Sequence, residues 1–120
     1  MPWHFHNKAP VFLQISAHIR AEILNGTYPP DSQIPSVRQL AFEAAVNPNT
    51  MQRALTELEN EGLLRSRGTL GRFVTSDFVV LEAARKTVHE SIIRSLMEEA
   101  RSCGITKEEL IQFIQKEEMT

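Results

Sequence analysis

The sequence contains one cysteine, Cys103, so neither a disulfide framework nor a cysteine-built zinc site can form within one chain. Cys103 is expected to be a small, buried, apolar residue. Positive charge is not in surplus. Thirteen Lys and Arg stand against 15 Asp and Glu, for a net charge of −2, so the global signature of a polyanion-binding surface is missing. No apolar run approaches the about 18 residues needed to span a membrane. The N-terminus lacks the pattern of a secretory leader. The expectation is a cytoplasmic protein. There is also no phosphate loop, and no nucleophile with a base at a recognisable spacing. His4 and His6 lack a third metal ligand, and His18 and His89 stand isolated on helical stretches. Neither an enzyme nor a cofactor or metal site is expected.

What is present suits one modest core with a small appendage, since 42% of the 120 residues are hydrophobic. Residues 1–77 carry seven basic and seven acidic residues, while residues 78–120 carry six and eight. The first segment is therefore the better place for a polyanion partner. Residues 1–9 read as an arm whose Trp3 and Phe5 dock on the first helix. From Pro10, the residues Phe12, Ile15, Ile19, Ile23 and Leu24 recur at helical spacing, and Gly26 suits the stop. The segment TYPPDSQIP (27–35) is a turn-rich connector, because Pro29 and Pro30 lack an amide donor. A second helix opens on Ser36 as N-cap, with Val37, Leu40, Ala41 and Ala44 inward.

After a short turn, Asn47 supplies the next N-cap and Pro48 the first helical position. This third helix runs to about Glu61 and stops at Gly62, with Met51, Ala54, Leu55 and Leu58 inward. Asn49, Gln52, Arg53, Thr56 and Asn60 lie on its other faces. Two helices joined by so short a turn form a helix-turn-helix. LLRSRGTLGRFVT (63–75) then reads as a hairpin turning at residues 68–71. It places Arg65, Arg67 and Arg72 close together with no acid among them. A long helix over 78–103 follows, capped by Ser76 or Asp77, with Leu81, Ala84, Val88, Ile92 and Leu96 on one stripe. Thr106 and Glu109 make a capping box for a last short helix carrying Leu110, Phe113 and Ile114.

The segments IPSVRQLA (34–41), VNPNTMQRALTELENEGLL (46–64) and RGTLGRFV (67–74), in this order and spacing, resemble the GntR family of bacterial regulators. The short C-terminus resembles its YtrA-like branch. One departure is that two residues separate Gly68 from Gly71, where the family more often has one. The expected fold is mainly α with a small β-hairpin: an N-terminal winged helix-turn-helix (1–77) plus a C-terminal two-helix dimerisation segment (78–120). The resemblance implies a homodimer on palindromic operator DNA, with the recognition helix 47–61 in the major groove. It also implies repression and, for this branch, control of neighbouring transporter genes.

The residue chemistry is consistent with that role. Helix N-terminal amides attract phosphate, and Ser36, Asn47, Asn49 and Thr50 stand at two such ends. Gln52 and Arg53 are suited to base edges, Gln to adenine and Arg to guanine. Arg38 matches a family position that touches the operator. Arg67 and Arg72 are expected to reach phosphate or the minor groove, with Gly68 and Gly71 allowing close backbone approach. The competing readings are ion pairs, Arg38 with Glu43 and Arg53 with Glu57. Dimer contacts are expected from Leu81, Val88, Ile92, Leu96 and Phe113, because the C-terminal helices cannot bury both sides of their stripe alone. Two further readings stay open. A small effector binds between the C-terminal helices, near His89, Arg94 and Ser95, or the winged helix binds protein and not DNA.

Overall fold

The computed structural model describes residues 3–119. Its elements are α1 (Val11–Leu24), α2 (Val37–Ala44), α3 (Pro48–Asn60), β1 (Leu64–Ser66), β2 (Arg72–Val74), α4 (Phe78–Ser102) and α5 (Lys107–Lys116). A 3₁₀ turn, Gly68–Leu70, joins the two antiparallel strands, which pair Leu64 with Val74 and Ser66 with Arg72. The expected architecture is the one observed: mainly helical, with a helix-turn-helix followed by a hairpin. The chain forms two compact units, Met1–Ala83 and Ala84–Thr120.

Local chemistry sets the helix starts. The Ser36 hydroxyl accepts the Gln39 amide at 3.1 Å and the Asn47 side chain accepts the Asn49 amide at 2.7 Å, each satisfying a donor that the first helical turn leaves unpaired. Between them, Ala45 takes the left-handed conformation with φ 58°, which allows α3 to turn back across α2. The Asp77 carboxylate accepts the Val79 amide at 2.9 Å to open α4. Thr106 and Glu109 form the complete capping box of α5.

The core of the first unit is built from Ile15, Ile19 and Ile23 of α1, Leu40 of α2, Met51, Leu55 and Leu58 of α3, and Leu63, Leu64 and Val74 around the hairpin, all buried. At the α1–α3 crossing lies Ser16, also buried, whose hydroxyl hydrogen-bonds Phe12 O at 2.9 Å and Ala54 O at 3.2 Å. Two small residues there allow close approach, and the hydroxyl is satisfied. Arg20 adds an exposed tie to Glu61 at 2.8 Å. The arm docks as expected. Trp3 stacks on His18 with ring centroids 3.8 Å apart, and the Gln14 amide donates to His6 O and Ala9 O, both at 2.8 Å.

The connector has more order than its turn residues suggested. Val74 N donates to Ser32 O at 2.9 Å, Ile34 N to Arg72 O at 3.0 Å, and Gln33 bridges Phe73. Pro29 and Pro30 stop helix formation, but Ile34 is an apolar anchor, and burying it draws residues 31–34 alongside β2. Tyr28, half-buried beside Glu22, has its phenol pushed up to about 12, first by burial and then by the Glu22 carboxylate.

The first turn of α4 requires a correction. Leu81, expected on the dimer stripe, is 4% exposed in the single chain, so its side chain belongs to the chain's own core and has nothing left for a partner. The apolar stripe expected at the interface thus begins later along α4. In the second unit Ala100 is buried, whereas Cys103, expected to be buried, is exposed at the end of the helix, and Gly104, at φ 80°, reverses the chain into α5. Ile92, Ile93, Leu96 and Met97 of α4 and Ile111, Phe113 and Ile114 of α5 remain exposed. No helix among the described residues is long and apolar enough to cross a membrane.

Candidate nucleic-acid interface

The outward face of α3 carries the polar residues expected there. Asn49, Gln52 and Arg53 are exposed and Thr50 half-exposed. Asn49 follows the Asn47 cap directly, so its side chain stands at the positive end of a 13-residue helix. Asn47 itself spends its side-chain oxygen on the cap. Arg53 lies with its guanidinium 3.8 Å from the centre of the Phe12 ring, and no ion pair to Glu57 forms. Together Asn49, Thr50 and Arg53 line a shallow hollow of about 430 Å³ with Pro10, Val11 and Phe12. Arg38 is exposed on α2 and takes part in no ion pair among the described residues. The expected competitor, Glu43, leaves it free for another anion.

The hairpin is less basic in space than in sequence. Arg65 on β1 and Arg67 just past its end both donate to the same Asp31 oxygen, at 2.8 and 2.7 Å. These two guanidiniums hold the Asp31 carboxyl below the usual carboxylate range. Arg67 also lies over the Phe73 ring at 4.3 Å. Arg72 turns inward. Its side chain is 14% exposed, is ion-paired with Glu59, and reaches the Gln52 oxygen at 3.4 Å. Three basic side chains are therefore partnered by two acids that lie outside the hairpin segment.

Backbone geometry shapes the hairpin tip. Gly68 and Gly71 take φ 58° and 106°, a region side chains rarely adopt. A Cβ on Gly71 would also stand 3.0 Å from Gln33 Nε2, which donates to Leu70 O. Ser36, Gln52, Thr69 and Arg72 line a crevice of about 450 Å³ between this tip and the start of α2. No cluster of His, Cys, Asp or Glu among the described residues is arranged to hold a metal ion. Sequence reading missed Phe12, Asp31, Gln33, Glu59 and Phe73 as partners of the site. The one apolar residue between Tyr28 and Val37 other than proline is Ile34, which hints at an anchor but not at its partner.

A capped helix-turn-helix with a polar outer face, followed at once by an arginine-bearing hairpin, defines a winged helix-turn-helix of the DNA-binding class. The model of the bacterial regulatory proteins of the gntR family matches residues 12–74, and the chain belongs to that family of transcription regulators. It is 28% identical to the HTH-type transcriptional repressor YtrA of Bacillus subtilis over 111 residues, covering 92% of this chain and 85% of that protein. It superposes on a GntR family transcriptional regulator from Listeria monocytogenes with a TM-score of 0.86 and 32% identity, covering 95% of this chain and all of that one. The DNA-binding domain of AraR, solved in complex with operator ORX1, matches 60% of this chain and 93% of its own, with a TM-score of 0.57 and 28% identity.

Proposed function

We propose that this protein is a cytoplasmic, sequence-specific transcription repressor that binds a palindromic operator as a homodimer; binding, not catalysis, is its activity. The observation that carries the reading is the exposed, cation-bearing outer face of α3 with unpaired Arg38 beside it. Asn49, Thr50, Gln52 and Arg53 enter the major groove from the start of α3. Ser36 and the α2 amides receive phosphate. The tip around Gly68 and Gly71 approaches the adjacent minor groove, with Arg67 delivered when phosphate displaces Asp31. In this reading Arg72 acts from behind, through Gln52. Repression is supported by the name of the Bacillus relative, and the YtrA-like resemblance extends the proposal to neighbouring transporter genes.

Dimerisation falls to residues 78–120, with 1–77 as the DNA-binding domain and the first turn of α4 as its brace. Ile92 at 59%, Leu96 at 39% and Phe113 at 56% exposure, with half-buried Val88 near them, form an apolar face too large to leave in water. A second copy of the chain covers it. The dimer presents two recognition helices to half-sites about 34 Å apart. Footprinting on the promoter of the gene itself tests this. Two symmetric protected half-sites are expected, and no protection at all would overturn the proposal.

A small effector is a compatible second reading. Met97, Ala100, Ile105 and Leu110 line an apolar hollow of about 350 Å³ rimmed by Arg101 and Lys107, which suits an amphipathic anion. His89, Arg94 and Ser95 are all exposed on α4 and lie outside that lining. The expected readout is a thermal shift with short-chain carboxylates together with altered operator affinity. Neither effect across such a series would remove this reading.

A further inference from the structure

Arg72 links the hairpin to the outer face of α3. Its Nε is ion-paired with Glu59 on α3, and its Nη1 donates to Gln52 Oε1 at 3.4 Å. Glu59 lies about two turns beyond Gln52 on the same side of the helix. The pair is sheltered, with side chains 14% and 28% exposed, whereas Gln52 itself is exposed.

We infer that Glu59 is a positioning residue for operator readout: through Arg72 it holds the Gln52 amide with its oxygen toward the hairpin and its NH₂ outward. Gln52 then reads a hydrogen-bond acceptor, guanine or thymine, and not adenine. The inference rests on the DNA-binding reading given above and deepens it.

The chemistry follows from donor and acceptor counts. A guanidinium has donors only, while an amide has one oxygen that accepts and one NH₂ that donates. Turned the other way, the amide would set N–H against N–H beside a positive charge. The oxygen therefore faces Arg72. Reading adenine needs oxygen and NH₂ together, one for N6 and one for N7. With the oxygen engaged, the NH₂ alone meets the base. Guanine offers N7 and O6, and thymine offers O4, to such a donor; adenine N7 accepts as well, but the neighbouring N6 amino group then sets donor against donor. Arg72 stays in place because Glu59 holds its Nε side; without that carboxylate, a long side chain regains its rotamers and swings into solvent.

The test is selection from operators randomised across one half-site, with the full-length protein at fixed salt. Gln52→Ala identifies the position that Gln52 reads. At that position the wild-type protein is expected to prefer guanine or thymine about tenfold, the scale of one good base contact. Glu59→Ala should flatten that preference while leaving the other positions as they were, which a general loss of folding would not do. Gln52→Glu, at an exposed position, accepts only and should move the preference to cytosine, so the inference stays testable if Glu59→Ala fails to fold. Adenine preferred by the wild-type protein, or guanine and thymine preference surviving in Glu59→Ala, overturns the inference and spares the DNA-binding reading. No enriched sequence at all overturns both.

Discussion

The two units of this chain solve opposite problems with similar apolar content. In the first, Ile15, Leu40, Met51, Leu55 and Leu58 are each at most 1% exposed, and even the buried Ser16 hydroxyl has two acceptors. In the second, Ala100 is the one fully buried apolar residue described, while Ile92, Leu96, Phe113 and Ile114 stand at 39–59% exposure. A three-helix arrangement closed by a hairpin surrounds its own core. Two helices in a hairpin cannot, because a pair leaves one side of each stripe open. The first unit is complete as a folding unit. The second leaves an apolar face open, which the proposed dimer would cover.

That contrast can be broken or sharpened experimentally. The largest effect belongs to the closed core: Leu58→Ala should destabilise the protein by about 2–5 kcal/mol in denaturant melts, as buried leucines do when a cavity is left. A cost below about 1 kcal/mol would mean that the first core is loosely packed. In the open unit, Leu96→Glu should convert dimer to monomer in sedimentation with helix content retained. An unchanged dimer would remove the α4 stripe from the interface. Arg38→Ala and Arg53→Ala should each weaken operator binding by about 1–3 kcal/mol at matched salt, with stability unchanged for Arg38→Ala and lowered by no more than about 1 kcal/mol for Arg53→Ala, which loses the Phe12 contact. Unaltered affinity for either takes that residue out of the site.

Two smaller effects concern backbone and charge. Ala45 sits at φ 58°, so Ala45→Gly should stabilise by about 1 kcal/mol, the cost a side chain incurs in the left-handed region. Loss of stability would show that the Ala45 methyl packs usefully. Tyr28 keeps its proton in the folded chain up to about 12, against about 10 when unfolded. Its contribution is whole below the unfolded value and falls as pH rises toward the folded one, because the unfolded chain releases the proton first. Tyr28→Phe should therefore flatten the alkaline limb of the stability–pH curve above about pH 10. An identical limb in the variant would assign it to other groups.

What was legible in the sequence was what local chemistry decides. Ser36, Asn47, Asp77 and the Thr106–Glu109 box act within one turn of themselves, so helix starts could be read from a few letters, and the apolar periods gave the inward faces of α1, α2 and α3. Partners brought together by the fold were not legible. Asp31 lies 34 residues from Arg65, and Glu59 lies 13 from Arg72. The hairpin therefore read as an unopposed basic cluster, though two acids meet it in space. Leu81 was misassigned for the same reason. It shares a stripe with Val88 and Ile92, and periodicity cannot say where along a long helix the chain's own core ends.

The measurement that bears most directly on the central claim is the operator affinity of the protein across a salt series. A few placed cations (Arg38, Arg53 and the released Arg67) are expected to make log K fall linearly and steeply with log salt, each phosphate contact adding about −0.9 to the slope. Arg38→Ala should reduce that slope if it meets phosphate. Binding that is indifferent to salt would contradict the account, and no operator binding at any salt would point to the winged helix as a surface for protein and not for DNA.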